Sequence, residues 1–475
     1  MTFWQLGVYA LPAIPLSFLY VPLTALLPAF YAQELGLSLG SLGAFLLISR
    51  LLDMVIDPLL GRMSDKTRSR FGRRKPWIAA ACPIVMIGAF LVFLPPAKTS
   101  GWYLLLATSV IYLGASMLGL SHSAWGAEIV ESYHGRSKVA GFRETANVLG
   151  IVIASAVPAI TGLQGHGVDR HTMGLMGWLV ISMTPVSAYA ALRWIPEPRV
   201  IPRPSVPWLA TLVSLLANKP FRILCIGYVV LSIGAGITNS TLIFFISQYL
   251  GQPAIIGPTL LASFGCVLLG VPFWVQVSRR IGKHRAAGIS LLVAALLSGV
   301  LVMQLRAGDG WYFVALMALL GATSSAFLTL PLGIMGDVID YDTLRSGEVR
   351  GGLYFGFWAF FQKISPAIAV GATLPFLEFV GFKPRDVNSA AALQALKYVY
   401  CLAPLPFYLI GAWMFLHFPL DARRHGIIRR RLEALRGRSA DNPGAAVVAP
   451  VSEAAPTPAA AVLAAHGGFG KRQCP

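Results

Sequence analysis

The sequence predicts an all-α membrane protein of about twelve transmembrane helices in two six-helix halves. Three observations carry that reading. The 475 residues are 56% hydrophobic and only 12% charged, with a mean hydropathy of +0.67. A soluble domain carries about 25% charged residues, so most of this chain is solvated by lipid. Apolar runs of spanning length, about 18–25 residues, recur almost end to end. Strongly basic and nearly neutral connections alternate between them, as the positive-inside rule requires of a multi-pass protein.

In chain order, the N-terminal MTFWQLGVYALPAIPL lacks a basic n-region and a small-residue cleavage site. It reads as the opening of a first membrane helix, not a removable signal. Twelve runs fall at about 8–31, 38–61, 76–95, 102–129, 140–162, 174–195, 220–248, 256–278, 286–305, 311–336, 352–379 and 394–418. The basic connections hold Arg62 to Lys75, then Arg136 and Lys138, then Arg193 to Arg222, then Arg279 to Arg285, then Arg345 and Arg350. The others are short or balanced, such as Asp169 with Arg170 or Arg306 with Asp309. Both termini are therefore expected in the cytoplasm, with the chain in a bacterial-type inner (plasma) membrane.

Two anchors repeat at an offset of about 210 residues. Phe71-Gly-Arg-Arg-Lys75 matches Ile281-Gly-Lys-His-Arg285, and Glu128-Ile-Val-Glu131 before Arg136 matches Asp337-Val-Ile-Asp340 before Arg345. Each lies at an equivalent place in the order of spans, which argues for two halves of the same topology. The expected organisation is an N-terminal bundle at 1–195, a linker at 196–219, a C-terminal bundle at 220–418 and a tail at 419–475. Pro196, Pro198, Pro202, Pro204 and Pro207 make the linker stiff. Asp421 to Arg438 carries seven arginines against two acids. It reads as a charge cluster that fixes orientation, with an amphipathic helix on the inner leaflet as the alternative. Beyond about 439 the chain is Ala/Pro-rich and expected to be disordered.

Composition also excludes classes of function. The formal net charge is +18, but the basic residues sit between apolar runs, where they face anionic lipid, and no base-reading motif occurs, so no nucleic-acid partner is expected. Of five cysteines, four lie in apolar runs and none forms a C-x-x-C pair, which points to small buried hydrophobes and no structural metal. There is no G-x-S-x-G, Walker A or H-E-x-x-H, so neither an enzyme nor an ATP-driven pump is expected.

One stretch stands apart: Arg50 to Trp77, RLLDMVIDPLLGRMSDKTRSRFGRRKPW. Asp53 and Asp57 are four residues apart and share a helix face, with Arg50 one turn earlier. Ionisable groups at membrane depth are costly and by default mark a functional site. A purely structural pair of Arg50 with one aspartate would leave the second carboxylate unexplained. The basic run after them, with Asp65, Arg73 and Arg74, reads as topology and gating, with lipid headgroup binding as the alternative. Glu128, Arg136, Asp337, Asp340 and Arg345, together with Asp342, sit at the basic ends of spans. They are expected to form gate-closing salt bridges, with proton relay as the alternative.

That stretch resembles the signature of the glycoside–pentoside–hexuronide:cation symporters, the melibiose-permease-like branch of the major facilitator superfamily. Trp125-Gly-Ala-Glu128 followed by Arg136 and Arg143, Gly336-Asp337-Val-Ile-Asp340-Tyr-Asp342 followed by Gly347, and Lys363 within FWAFFQKISP fit the same family. The resemblance covers about residues 8–420. It implies the major facilitator superfamily fold, with two bundles around a central cavity and alternating access. It also implies that Asp53, Asp57 and Ser116 bind the coupling cation, that Arg50 and Lys363 balance them, and that Arg143 lies beneath the substrate. Trp125, in this reading, stacks on substrate or merely packs, and Arg143 either holds substrate or pairs with Glu128 or Glu144.

The chain also departs from the family pattern. Ile56 stands where sodium-using members often carry an asparagine, so fewer oxygen ligands favour H⁺ over Na⁺ as the coupling ion. Span one has no acid before Glu34, and the span-four carboxylate position falls at Gly119, which leaves galactoside recognition open. Span one offers Tyr9 and Tyr20 instead, a lining suited to a less polar or larger substrate.

The leading expectation is a monomeric secondary transporter, without a cofactor, that couples H⁺ or Na⁺ entry to uptake of a small-molecule substrate, a glycoside or sugar acid. Membrane lipids are its other partners. A carrier for a lysolipid or other amphiphile on the same scaffold comes second, and a non-transporting assembly or sensing factor third.

Overall fold

The computed structural model describes residues 2–130, 133–161, 168–196, 215, 217–347 and 351–441. Most of the expected linker, all of the tail past 441 and the Arg136 side chain lie outside them. Every regular element is helical among the described residues, and twelve helices are long and apolar enough to cross a membrane. In order they are Ala13–Glu34, Leu39–Lys66, Lys75–Phe93, Gly101–Gly126, Lys138–Thr161, Arg170–Trp194, Lys219–Tyr249, Pro253–Ile281, Lys283–Gln304, Gly310–Ser346, Leu353–Phe379 and Ala390–Leu416, hereafter spans one to twelve. The twelve expected apolar runs each find their helix.

Span one begins later than the apolar run suggested. Phe3–Ala10 forms a separate short helix, started by a capping box between Thr2 and Gln5. The chain then kinks near Pro12 before the span proper begins. Proline removes a backbone donor and clashes with the preceding turn. Pro22 and Pro28 act again further on, so span one crosses with two π-helical turns, Pro22–Leu26 and Phe30–Glu34.

Packing partners repeat with a shift of six spans. Span one packs on five, two on four and three on six; span seven packs on eleven, eight on ten and nine on twelve. Two internal halves of one topology follow directly, as the 210-residue offset anticipated. Close approach relies on glycine. A Cβ at Gly88 would stand 2.5 Å from Ile111 Cα between spans three and four, and one at Gly321 would stand 1.9 Å from the Ser263 carbonyl between spans ten and eight.

The two sets of spans meet along two against eleven, five against eight, and one against seven. After span twelve, Ala422–Asp441 forms a helix. The backbone N–H of Arg424 donates to Asp421 at its start, which holds that carboxyl below the usual range. Ile428 and Leu432 are buried and the arginines around them are exposed, so the basic stretch is an amphipathic helix and more than a stop signal.

Candidate functional site

Span two is a continuous helix from Leu39 to Lys66 and carries two unlike faces. At about 100° per residue, exposed Ile48, Leu51, Val55 and Leu59 cluster on one side. Asp53, Asp57, Arg50 and the buried Leu46, Leu60 and Ser64 fall on the other. The apolar face meets lipid, so the carboxylates turn inward.

There they meet two neighbours. Span four brings Ser116, whose hydroxyl donates to Asp53 Oδ1 at 2.7 Å. Span eleven brings Lys363, whose ammonium lies 2.9 Å from Asp53 Oδ2, 2.5 Å from Asp57 Oδ2 and 2.9 Å from Ser116 Oγ. Its three N–H groups thus have three acceptors. Arg50 lies 3.7 Å from Asp53 Oδ2 and stacks over the Tyr112 ring at 3.8 Å. Two carboxylates face two cations and the cluster is neutral. Two features of the cluster stand out. Asp57 Oδ1 is buried with no hydrogen-bond partner, leaving a carboxylate lone pair unused. The lysine comes from the last six spans and its acceptors from the first six, so the cluster ties the halves together at mid-depth. The five sequence-predicted residues Asp53, Asp57, Ser116, Arg50 and Lys363 are all brought together.

The expected substrate contacts fare unevenly. Arg143 pairs with its neighbour Glu144 at 2.9 Å and stays partly accessible. Tyr20 is 45% exposed and meets Phe264 of span eight edge-on at 6.2 Å, on the seam between the halves. Trp125 takes the packing alternative. It is 0% exposed, edge-on to Tyr9 at 6.1 Å with the Lys75 ammonium 5.7 Å from its ring, so it packs and offers no face to a solute.

Of the expected gating residues, Asp65, Arg73, Arg74 and Glu128 form one cluster and Asp337 and Asp340 belong to another, each within one half. Glu128 accepts from Arg73 at 2.5 Å and Arg74 at 2.7 Å, while Arg74 also reaches Asp65 at 2.6 Å and Ser64 at 2.8 Å. Burial works against the Arg74 charge, and the two carboxylates outweigh it, so its proton is held more tightly than usual. Asp337 pairs with Lys283 at 2.6 Å. Arg345 corrects the expected partner: it is exposed and pairs with no described acid. His425 of the tail helix stands in its place, 3.0 Å from Asp340 and 3.5 Å from Asp337. Among the described residues neither cluster bridges the halves.

The bridges lie elsewhere. Every described hydrogen bond or ion pair between the halves is at the Asp53 level or on the side away from the basic loops. Arg385 donates to the carbonyls of Gln33, at 2.5 Å, and Glu34, where span one ends. Glu378 accepts from the N–H of Gly40, where span two begins. A cation therefore sits on a helix C-terminus and an anion on a helix N-terminus, each matching the helix dipole. Gly36, at φ +75°, leaves room for this, since a Cβ there would stand 2.6 Å from Arg385 Nη1. Gln33 also donates to Ser247 at 3.0 Å. The molecule is latched shut on the side opposite the basic loops.

Nothing in the sequence marks the latch, since Lys383, Arg385 and Asp386 make only one more balanced connection between apolar runs. Nor does anything mark a reciprocal clamp between Tyr9 and His122. The Tyr9 hydroxyl donates to the His122 carbonyl at 2.9 Å and His122 Nε2 to the Tyr9 carbonyl at 2.7 Å. Neither has a signal in spacing or composition. Combining Glu378→Gln with Arg385→Ala should shift the population toward opening on the latched side. A cysteine placed at Leu47, which packs on Gly371 of span eleven, should then react with an impermeant maleimide about tenfold faster, the shift that about 1.4 kcal/mol gives. An unchanged rate would show that the latch does not set the conformation.

Twelve spans, six-span internal symmetry and a charged cluster between the halves define a two-bundle membrane transporter. A family model described as "MFS/sugar transport protein" matches residues 8–422, and the chain belongs to that family. It is a transporter and not an enzyme. Sodium-dependent lysophosphatidylcholine symporter 1 of Homo sapiens is 24% identical over 446 residues, covering 85% of this chain and 80% of that protein. The putative glycoside/cation symporter YagG of Escherichia coli (strain K12) is 25% identical over 464 residues, covering 93% and 97%. The crystal structure of the nucleoside transporter NupG superposes with a TM-score of 0.62 at 15% identity, covering 88% of this chain and 99% of that one, a likeness of fold alone.

Proposed function

We propose that this protein is a cation-coupled symporter of a small organic solute, working by alternating access from a bacterial-type inner membrane with both termini in the cytoplasm. The observation that carries the reading is the Lys363 ammonium held among Asp53, Asp57 and Ser116. Two neighbouring carboxylates in low dielectric are stable together only when a positive charge sits with them. In the resting cluster that charge is a tethered lysine. A free cation entering the site takes the same oxygens and restores neutrality without the lysine.

Coupling follows from that exchange. Releasing Lys363 breaks the mid-depth tie between the halves and leaves an ammonium in need of an acceptor. A solute oxygen supplies it, so solute binds well only after the cation. With neither bound, Lys363 returns and the halves are tied again. With the cation alone, the freed ammonium lacks a partner and carries a desolvation penalty. The five oxygens of Asp53, Asp57 and Ser116, with Asp57 Oδ1 already unpartnered, suit a sodium ion better than the Ile56 substitution suggested. Two curated relatives are named as sodium-dependent or cation symporters, which supports the same reading.

The solute is read as a sugar or glycoside, supported by the family description and by accessible Arg143 and Tyr20. An amphiphile remains the second reading, because the relatives include lysophosphatidylcholine symporters. Reconstituted vesicles test the ion. An inward sodium gradient at equal pH should drive accumulation, and a pH gradient without sodium should drive little. Accumulation by the pH gradient alone would assign the proton instead, and accumulation under neither gradient would remove the symport reading.

A further inference from the structure

Arg50 stops short of the carboxylate beside it. It precedes Asp53 by one turn of span two, a spacing at which arginine and aspartate ordinarily close on each other. In a bonded guanidinium–carboxylate pair, nitrogen and oxygen are about 2.7–2.9 Å apart. Arg50 Nη1 and Asp53 Oδ2 are 3.7 Å apart, an attraction without a hydrogen bond. Among the described residues no other acid is within ion-pair reach of Arg50.

The guanidinium rests on Tyr112 instead. Its central carbon is 3.8 Å from the ring centroid, the contact of an arginine stacked on an aromatic face. Tyr112 comes from span four, one turn before Ser116, just as Arg50 comes one turn before Asp53. Both helices start on the latched side, so the Arg50–Tyr112 layer lies about 5.4 Å nearer the latch than the Asp53–Ser116 layer. The Tyr112 ring is only 5% exposed and has no room to swing away.

We infer that Tyr112 is a positioning residue whose ring holds the Arg50 guanidinium off Asp53, leaving that carboxylate open to an exchangeable cation. This rests on the symport reading above. The reason lies in where each cation is anchored. Lys363 reaches Asp53 and Asp57 from span eleven, so a movement of the halves can carry it away. Arg50 rides on the same helix as both aspartates, and no movement of the halves removes it. Its charge is also permanent. A fork of Arg50 on Asp53 would therefore occupy the carboxylate in every state and compete with any free cation. Held back on the ring, Arg50 still offsets the paired aspartates without taking an oxygen from the site. Tyr112 touches neither carboxylate through any described hydrogen bond, so its effect on the ion runs through Arg50.

Sodium titrated against melting temperature in purified protein at one pH tests this, with apparent sodium affinity as the readout. Tyr112→Leu should weaken sodium binding about 10- to 30-fold, the scale of a desolvated cation–π contact. Tyr112→Phe keeps the ring and should stay within about threefold of wild type. Arg50→Gln should restore affinity in the Tyr112→Leu protein, and the same change in wild type should tighten sodium binding, because it removes a like charge beside the ion. Tyr112→Met takes the place of Tyr112→Leu if that variant fails to fold. A ring-free variant that melts earlier yet binds sodium as wild type does would make Tyr112 a packing residue only and overturn the inference. So would a weakened variant that Arg50→Gln fails to rescue, or an Arg50→Gln single variant that itself loses sodium binding. A wild type without any sodium response would strike the symport reading, and this inference falls with it.

Discussion

Asp57→Asn should abolish gradient-driven accumulation while leaving the protein inserted and folded. Asp57 binds the Lys363 ammonium at 2.5 Å through one oxygen and holds the other unpartnered. The amide keeps shape and volume but removes the charge that makes a cation welcome. Removing one member of a buried charge pair costs about 3–5 kcal/mol, which is roughly two to four orders of magnitude in cation affinity at about 1.4 kcal/mol per tenfold. Solute exchange at equal concentrations across the membrane should fall with it, because solute binds well only once the cation has released Lys363. Accumulation at the wild-type level would remove Asp57 from the coupling mechanism.

Lys363→Gln should fail in the opposite manner. Without the tethered ammonium, Asp53 and Asp57 face each other with only Arg50 nearby. The pair then holds a free cation more firmly. Cation affinity should rise by at least about tenfold, as expected when an intramolecular competitor is removed, whereas net uptake should collapse. A transporter that never releases its ion cannot reset, and nothing ties the halves together in the empty state. Equilibrium binding of sodium beside uptake rate would check this. Lower cation affinity in the variant would mean that the lysine helps to build the site and does not compete for it.

The parts that sequence made legible are those governed by local rules. Membrane spans follow from hydropathy and length, and the paired aspartates follow from i,i+4 spacing. Asp53, Asp57, Ser116, Arg50 and Lys363 are legible as a group because a family pattern joins residues as far apart as 53 and 363. What stayed hidden depends on tertiary position. Trp125 has the composition of a stacking residue, and only the fold shows it sealed against Tyr9. Arg345 has the spacing of a gate residue, yet a histidine from the tail helix takes the acids instead. Glu378 and Arg385 grip backbone groups, and a backbone carbonyl leaves no mark in a sequence. The start of span one moved because prolines break helices at positions that a hydropathy average smooths away.

Exchange of the Lys363 ammonium for a free cation is tested most directly by titrating sodium against melting temperature in three purified proteins at one pH. Wild type should be stabilised saturably, Lys363→Gln should respond at lower sodium, and Asp57→Asn should not respond. Equal responses in all three, or a wild type indifferent to sodium and to protons alike, would contradict the exchange.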